Sequence, residues 1–192
     1  MRTRTLLTAG ILAGPLYVLV SLVEIALRDG FDATRHAWSM LANGPFGWVH
    51  SLNLIVSGLL VVAGAIGLSR TVRPGALLGV YGLGMVGSGF FAADPGRGFP
   101  AGTPEVVPMS WHGSLHFVLG GIGFLALVAA CFLIGRRLDG GLAVFSYVTG
   151  VLFLIGFVAM AAGGGTAAGL LGFTGAVILA SAWLSTIFAH YR

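Results

Sequence analysis

The chain has 192 residues, 57% of them apolar and only 8% charged, with a mean hydropathy of +0.97. Ordinary soluble domains are roughly 25% charged, so this chain cannot cover a compact globule with polar surface, and a soluble fold is excluded. All ten basic residues are Arg, and with six acids the net charge is +4; so few charges point to no nucleic-acid partner and read instead as membrane topology.

A spanning helix needs about 20 apolar residues, and six segments meet that length: 6–27, 48–69, 74–93, 110–135, 140–162 and 166–190. The expected fold is an all-α integral membrane protein. It is a bundle of six transmembrane helices forming one domain over 1–192, without linkers, in the cytoplasmic membrane. The first segment follows Arg2 and Arg4 as a signal peptide would. It is too long for a signal-peptide apolar region, however, and no small-x-small cleavage site precedes Arg28. It is read as an uncleaved span, kinked at Pro15. Pro74 is expected to open the third span from the first helical position.

Small residues mark helix contacts. The third span carries Ala76, Val80, Gly84, Ser88 and Ala92 at four-residue spacing, and the sixth carries Ala168, Gly172, Ala176 and Ala180. Such stripes let helix backbones approach closely in lipid. Two connections are long. Residues 28–47 hold Arg28, Asp29, Asp32, Arg35, His36 and Ser39, and residues 94–109 hold four prolines, which predicts an irregular cap there. The single Cys131 lies in an apolar run; it has no intrachain disulfide partner and is expected to be inert.

Charge orients the bundle. With the N-terminus inside, the inner segments hold seven Arg (Arg2, Arg4, Arg70, Arg73, Arg136, Arg137 and Arg192) against Asp139 alone. The outer loops hold Arg28, Arg35 and Arg97 against Asp29, Asp32, Asp94 and Glu105. This is a positive-inside bias that places both termini in the cytoplasm. Trp38, Trp48 and Trp111 all fall at the outer boundary, where an aromatic belt is expected.

The ionisable residues converge on the same outer end. Helical spacing gives one stripe of Glu24, Ser21 and Tyr17 on the first span and another of His50, Asn53, Ser57 and Gly64 on the second. The fourth span carries His112 and His116 one turn apart on one face, and Asp94 closes the third at a similar depth. Polar stripes avoid lipid, so all should face the interior. Paired imidazoles at this spacing suit a metal ion. His112, His116, Asp94 and His50 are the candidate ligands, for zinc or iron, with Glu24 or Asp94 as the acid–base group. Simpler readings stand beside this one. Glu24 and Arg28 are spaced for an ion pair, Asp94 before Pro95 suits a chain turn, His112 suits a wet interfacial place beside Trp111, and a hydrogen bond to a neighbouring helix would satisfy His116.

Three functions follow. The first is a polytopic membrane protein whose outer His/Asp/Glu pocket binds membrane lipid or a small solute. The second is a zinc-dependent hydrolase acting on lipid or amide at the outer leaflet, with a metal-bound water as nucleophile. The third is an electron-transfer protein with haem b between His50 and His112 or His116.

These features resemble a family of six-span bacterial membrane proteins catalogued as domain of unknown function 998. The resemblance rests on the run Ser39-x-x-x-x-Gly44-x-x-Gly47-Trp48, the pair Asp94-Pro95, and His112 to His116 opening the fourth span. It covers nearly the whole chain and implies a six-helix membrane protein, with no settled activity and no catalytic residues. The order Ser, Asp, H-x-x-x-H is also similar to the membrane metal-hydrolase superfamily of alkaline ceramidases and progestin-type receptors. Those proteins have seven spans with the paired histidines on the last. Here the pair opens the fourth, and the early Ser and His motif is matched at best by Ser39 and His50.

Overall fold

The computed structural model describes residues 2–162 and 165–192. Six helices account for most of them: α1 (Thr3–Leu27), α2 (Gly47–Ser69), α3 (Ala76–Phe90), α4 (Trp111–Gly135), α5 (Gly140–Ala162) and α6 (Ala167–His190). Five are long and apolar enough to cross a membrane, and large apolar side chains such as Leu19, Leu83, Leu125 and Ile155 project from the bundle surface. This is a multi-pass membrane protein.

The third span differs from its sequence expectation. A helix over 74–93 was expected, but α3 has 15 residues and is about 22 Å long. Pro74 lies in a 3₁₀ turn at Arg73–Gly75 that precedes the helix. At the other end Phe91 leaves helical geometry (φ −108°, ψ 96°), and the chain swings over to bring the Asp94 carboxylate to the start of α4.

Each helix packs on its neighbours in sequence, and α6 closes on α1, so the six form a ring. Glycines set the closest approaches. A Cβ at Gly58 would lie 2.6 Å from the Gly82 carbonyl oxygen, one at Gly84 2.8 Å from the Leu119 carbonyl oxygen, and one at Gly14 would collide with the Ser181 carbonyl oxygen. Backbone therefore meets backbone between α2 and α3, α3 and α4, and α1 and α6, which recovers dispersion contacts where lipid supplies no hydrophobic drive. The expected α3 stripe is only partly the contact face. Gly84 and Ser88 are buried, whereas Val80 is exposed and Gly82 and Gly89 meet α2 instead.

The ring is filled unevenly. In the half nearer the termini, Leu7, Leu68, Leu127, Cys131, Ile134, Trp183, Leu184 and Phe188 pack its centre. Trp183 donates from Nε1 to Ser146 Oγ at 2.9 Å, tying α6 to α5. The opposite half is looser, and the two long connections cover it.

Candidate functional site

The connections 28–46 and 91–110 fold together as a cap. Asp32 N–H donates to His36 Nδ1 at 2.9 Å, so that nitrogen is the acceptor and Nε2 carries the hydrogen. Nε2–H then donates to the Arg97 carbonyl at 3.0 Å. The His36 ring packs against Phe31 and Phe99, and the Arg28 guanidinium lies 5.3 Å from the centre of the Phe99 ring. Asn43 donates to the Ala93 carbonyl at 3.0 Å, and Arg97 Nη1 donates to the Gly165 carbonyl at 2.8 Å. The cap thus reaches from the end of α1 to the α5–α6 connection. An exposed Arg35–Glu105 pair at 3.0 Å lies on its surface.

Beneath the cap, α1 and α2 share a buried polar seam. His50 Nδ1 meets Glu24 Oε2 at 2.9 Å. Asn53 donates to the Tyr17 carbonyl at 3.1 Å and to Ser21 Oγ at 3.3 Å, and Ser57 donates to Asn53 Oδ1. Both stripes expected to face inward do so. Arg28 lies one turn beyond Glu24 at 3.8 Å, a Coulombic contact too long for a hydrogen bond. Its guanidinium donates instead to the carbonyls of Leu41 and Asn43. Glu24 Oε1 and His50 Nε2 are buried without a hydrogen-bond partner.

The looser half of the ring encloses a cavity of about 100 Å³ to which all six helices contribute. Its deep wall is aromatic: Phe124 lies 5.2 Å from Phe157 and 5.5 Å from Phe173, centre to centre. Gly120 and Gly121 leave the adjoining face of α4 bare, and the 3₁₀ turn Trp38–Ala42 closes the top with Trp38. Phe117, 48% exposed, borders both the cavity and the outside of the bundle.

The sequence-derived site residues divide into two groups. Glu24 and His50 are brought together. His112 and His116 are not: His116 is buried and lines the cavity, whereas His112 is exposed and rests on Trp111 with ring centres 3.6 Å apart. Asp94 is committed to the start of α4, accepting from Ser110 N–H at 2.8 Å and from Ser110 Oγ at 2.5 Å, while Ser110 Oγ in turn caps Gly113 N–H. The structure therefore does not gather His50, His112, His116 and Asp94 into one set. Among the described residues no three His, Cys, Asp or Glu side chains come close enough to hold a metal ion.

The family model described as Protein of unknown function (DUF998) matches residues 11–190. The chain belongs to that family. No curated protein and no solved structure matches it.

Several residues that shape the cavity of this DUF998 chain carried no signal in the sequence. Trp38 was expected in an aromatic belt with Trp48 and Trp111. Those two are each 65% exposed, but Trp38 turns inward and its Nε1–H is buried without an acceptor. Tyr81 and Thr174 also line the cavity. Their helices carry other polar residues, Ser88 on α3 and Ser181 and Ser185 on α6, and no local pattern sets these two apart. His36 lay in a loop, and its partner is 61 residues away.

Proposed function

We propose that this DUF998 chain is a six-span protein of the cytoplasmic membrane, with its cap on the outer side, that holds the end of a lipid chain or part of a small amphipathic molecule in the capped cavity. The observation that carries the reading is the cavity itself, with a wall of Phe, Met and Leu from α2 to α6, Tyr17 from α1 and a small number of polar groups. That is the composition of a ligand site rather than of a water-filled passage. Phe117 and Gly121 supply a border through which a chain would enter sideways from lipid. The short α3 completes a sixth crossing when the turn before it and residues 91–93 are added. Seven Arg at the end with the termini against three at the capped end support the orientation.

The test is a melting experiment. A Cβ at Gly121 would meet only Phe157 Cζ, at 3.9 Å, so Gly121→Leu can enter the cavity without a backbone collision. Adding monodecanoylglycerol to the detergent-purified protein should raise the wild-type melting temperature by several degrees and leave that of Gly121→Leu unchanged. Equal shifts in both proteins contradict the reading.

A further inference from the structure

A second concavity lies at the other end of the bundle, where Val62, Ala65, Ile66 and Arg70 of α2 and Ala76 and Gly79 of α3 line a groove of about 440 Å³. It shares no residue with the capped cavity. We infer that this groove binds an anionic phospholipid of the leaflet on the side of the termini, with one acyl chain along the α2–α3 floor and the phosphate on Arg70. The inference is independent of the cavity reading.

Small side chains make the groove. α2 and α3 meet as backbone at Gly58 and Gly82, and beyond that contact Ala65, Ala76 and Gly79 leave the space between the helices unfilled. A Cβ at Gly79 would meet only Ala65 Cβ, at 3.7 Å. Val62, Ile66 and Arg70 follow at four-residue steps, so they share one face of α2, and that face runs from apolar to basic. The helix rises about 12 Å from Val62 to Arg70, against about 15 Å for the hydrocarbon of one leaflet. The groove therefore takes most of the depth of one chain, and the rest of the lipid stays in the bilayer. Ile66 is 51% exposed and Ala76 is exposed, so the groove is open along its side. Its lipid exchanges with the bilayer and is lost to detergent.

Charge selects the head. Arg70 caps the end of α2, and its Nη1 donates to Thr3 Oγ1 at 3.0 Å, which holds the side chain at the level of the helix ends. A guanidinium meets phosphate with paired N–H donors. Arg73 follows in the turn that leads into α3, and both arginines are exposed. Among the described residues that line the groove none is acidic. The one acid at this end of the chain, Asp139, belongs to the α4–α5 connection. Basic residues at a membrane surface attract anionic lipid, and here they stand over an apolar slot that a chain can fill.

The probes are phosphatidylglycerol and phosphatidylcholine with a diazirine midway along one acyl chain. Each is added in trace amount to phosphatidylcholine liposomes that hold the full chain. After illumination, labelling of peptides covering 62–79 is compared with that of the other helices, which reports a folded, inserted protein. Phosphatidylglycerol should label 62–79 at least about fivefold more than phosphatidylcholine does. Arg70→Gln and Gly79→Leu should each remove most of that excess and leave labelling elsewhere unchanged. Arg137→Gln takes the same charge from the α4–α5 connection and should leave the excess intact. Equal labelling by the two lipids, an excess spread evenly around the ring, or an excess that survives Gly79→Leu overturns the inference. So does an equal loss with Arg137→Gln, which would make the effect one of net charge alone.

Discussion

Ser185 of α6 donates its hydroxyl to the Ile11 carbonyl of α1 at 2.8 Å. That carbonyl is the one Pro15 leaves without a donor, because the helical partner of Ile11 C=O is the N–H four residues on and proline has none. The helix runs through Pro15 unbroken, and a neighbouring serine supplies the missing hydrogen bond, as membrane helices commonly arrange. Beside it, Gly14 lets the Ser181 backbone come close enough for Ser185 to reach.

Ser185→Ala should therefore lower stability by about 1 kcal/mol. With Pro15→Ala the backbone N–H returns and the same change should cost less than half as much. A double-mutant cycle of unfolding in mixed micelles reads this directly. Equal costs in the two backgrounds would show that Ser185 does not act through the proline.

Glycine positions on the central helices divide sharply. Gly58→Ala drives a methyl to 2.6 Å from the Gly82 carbonyl oxygen, whereas at Gly79 the nearest atom is Ala65 Cβ at 3.7 Å. Separating α2 from α3 should cost about 2 kcal/mol or more at Gly58. Gly79→Ala should be neutral or stabilising, by up to about 1 kcal/mol from helix propensity. Thermal unfolding of the two variants side by side decides it. Similar losses at both sites would mean that the backbones are not in contact.

The Glu24–His50 pair is buried with little else to satisfy either group. Removing one partner should be severe, about 3 kcal/mol, because the other is left buried and unpaired. The double variant Glu24→Ala/His50→Ala should be less destabilised than the sum of the two single variants. Strict additivity in a chemical unfolding series would mean that the contact carries no coupling.

Limited proteolysis probes the cap. His36→Ala removes both the hydrogen bond that joins the two connections and the ring between Phe31 and Phe99, and it should expose residues 94–109 to cleavage several-fold faster. Arg35→Ala removes only a solvent-exposed pair, worth less than about 1 kcal/mol, and should leave the cleavage rate near that of wild type.

The long apolar helices were legible because lipid imposes one rule on every apolar run of sufficient length, as the helix Gly140–Ala162 illustrates. The end of α3 was not legible. Residues 91–93 are as apolar as the helix, and the contacts that draw the chain off it come from distant residues, His116 to Phe91, Asn43 to Ala93 and Ser110 to Asp94. Glu24 and His50 could be read because helical spacing places each on a polar stripe. The separation of His112 from His116 could not, since their spacing is compatible with one face. What parts them is that His116 reaches the Ser88 and Phe91 carbonyls while His112 lies against Trp111. The cavity was hidden for a different reason: Phe, Met and Gly read alike whether they face lipid, core or an enclosed space.

Native mass spectrometry of the protein released from its own membranes tests the central claim most directly. The account predicts one bound amphiphile per wild-type chain, absent from Gly121→Leu. A bare wild-type mass, or the same adduct on both proteins, would contradict it.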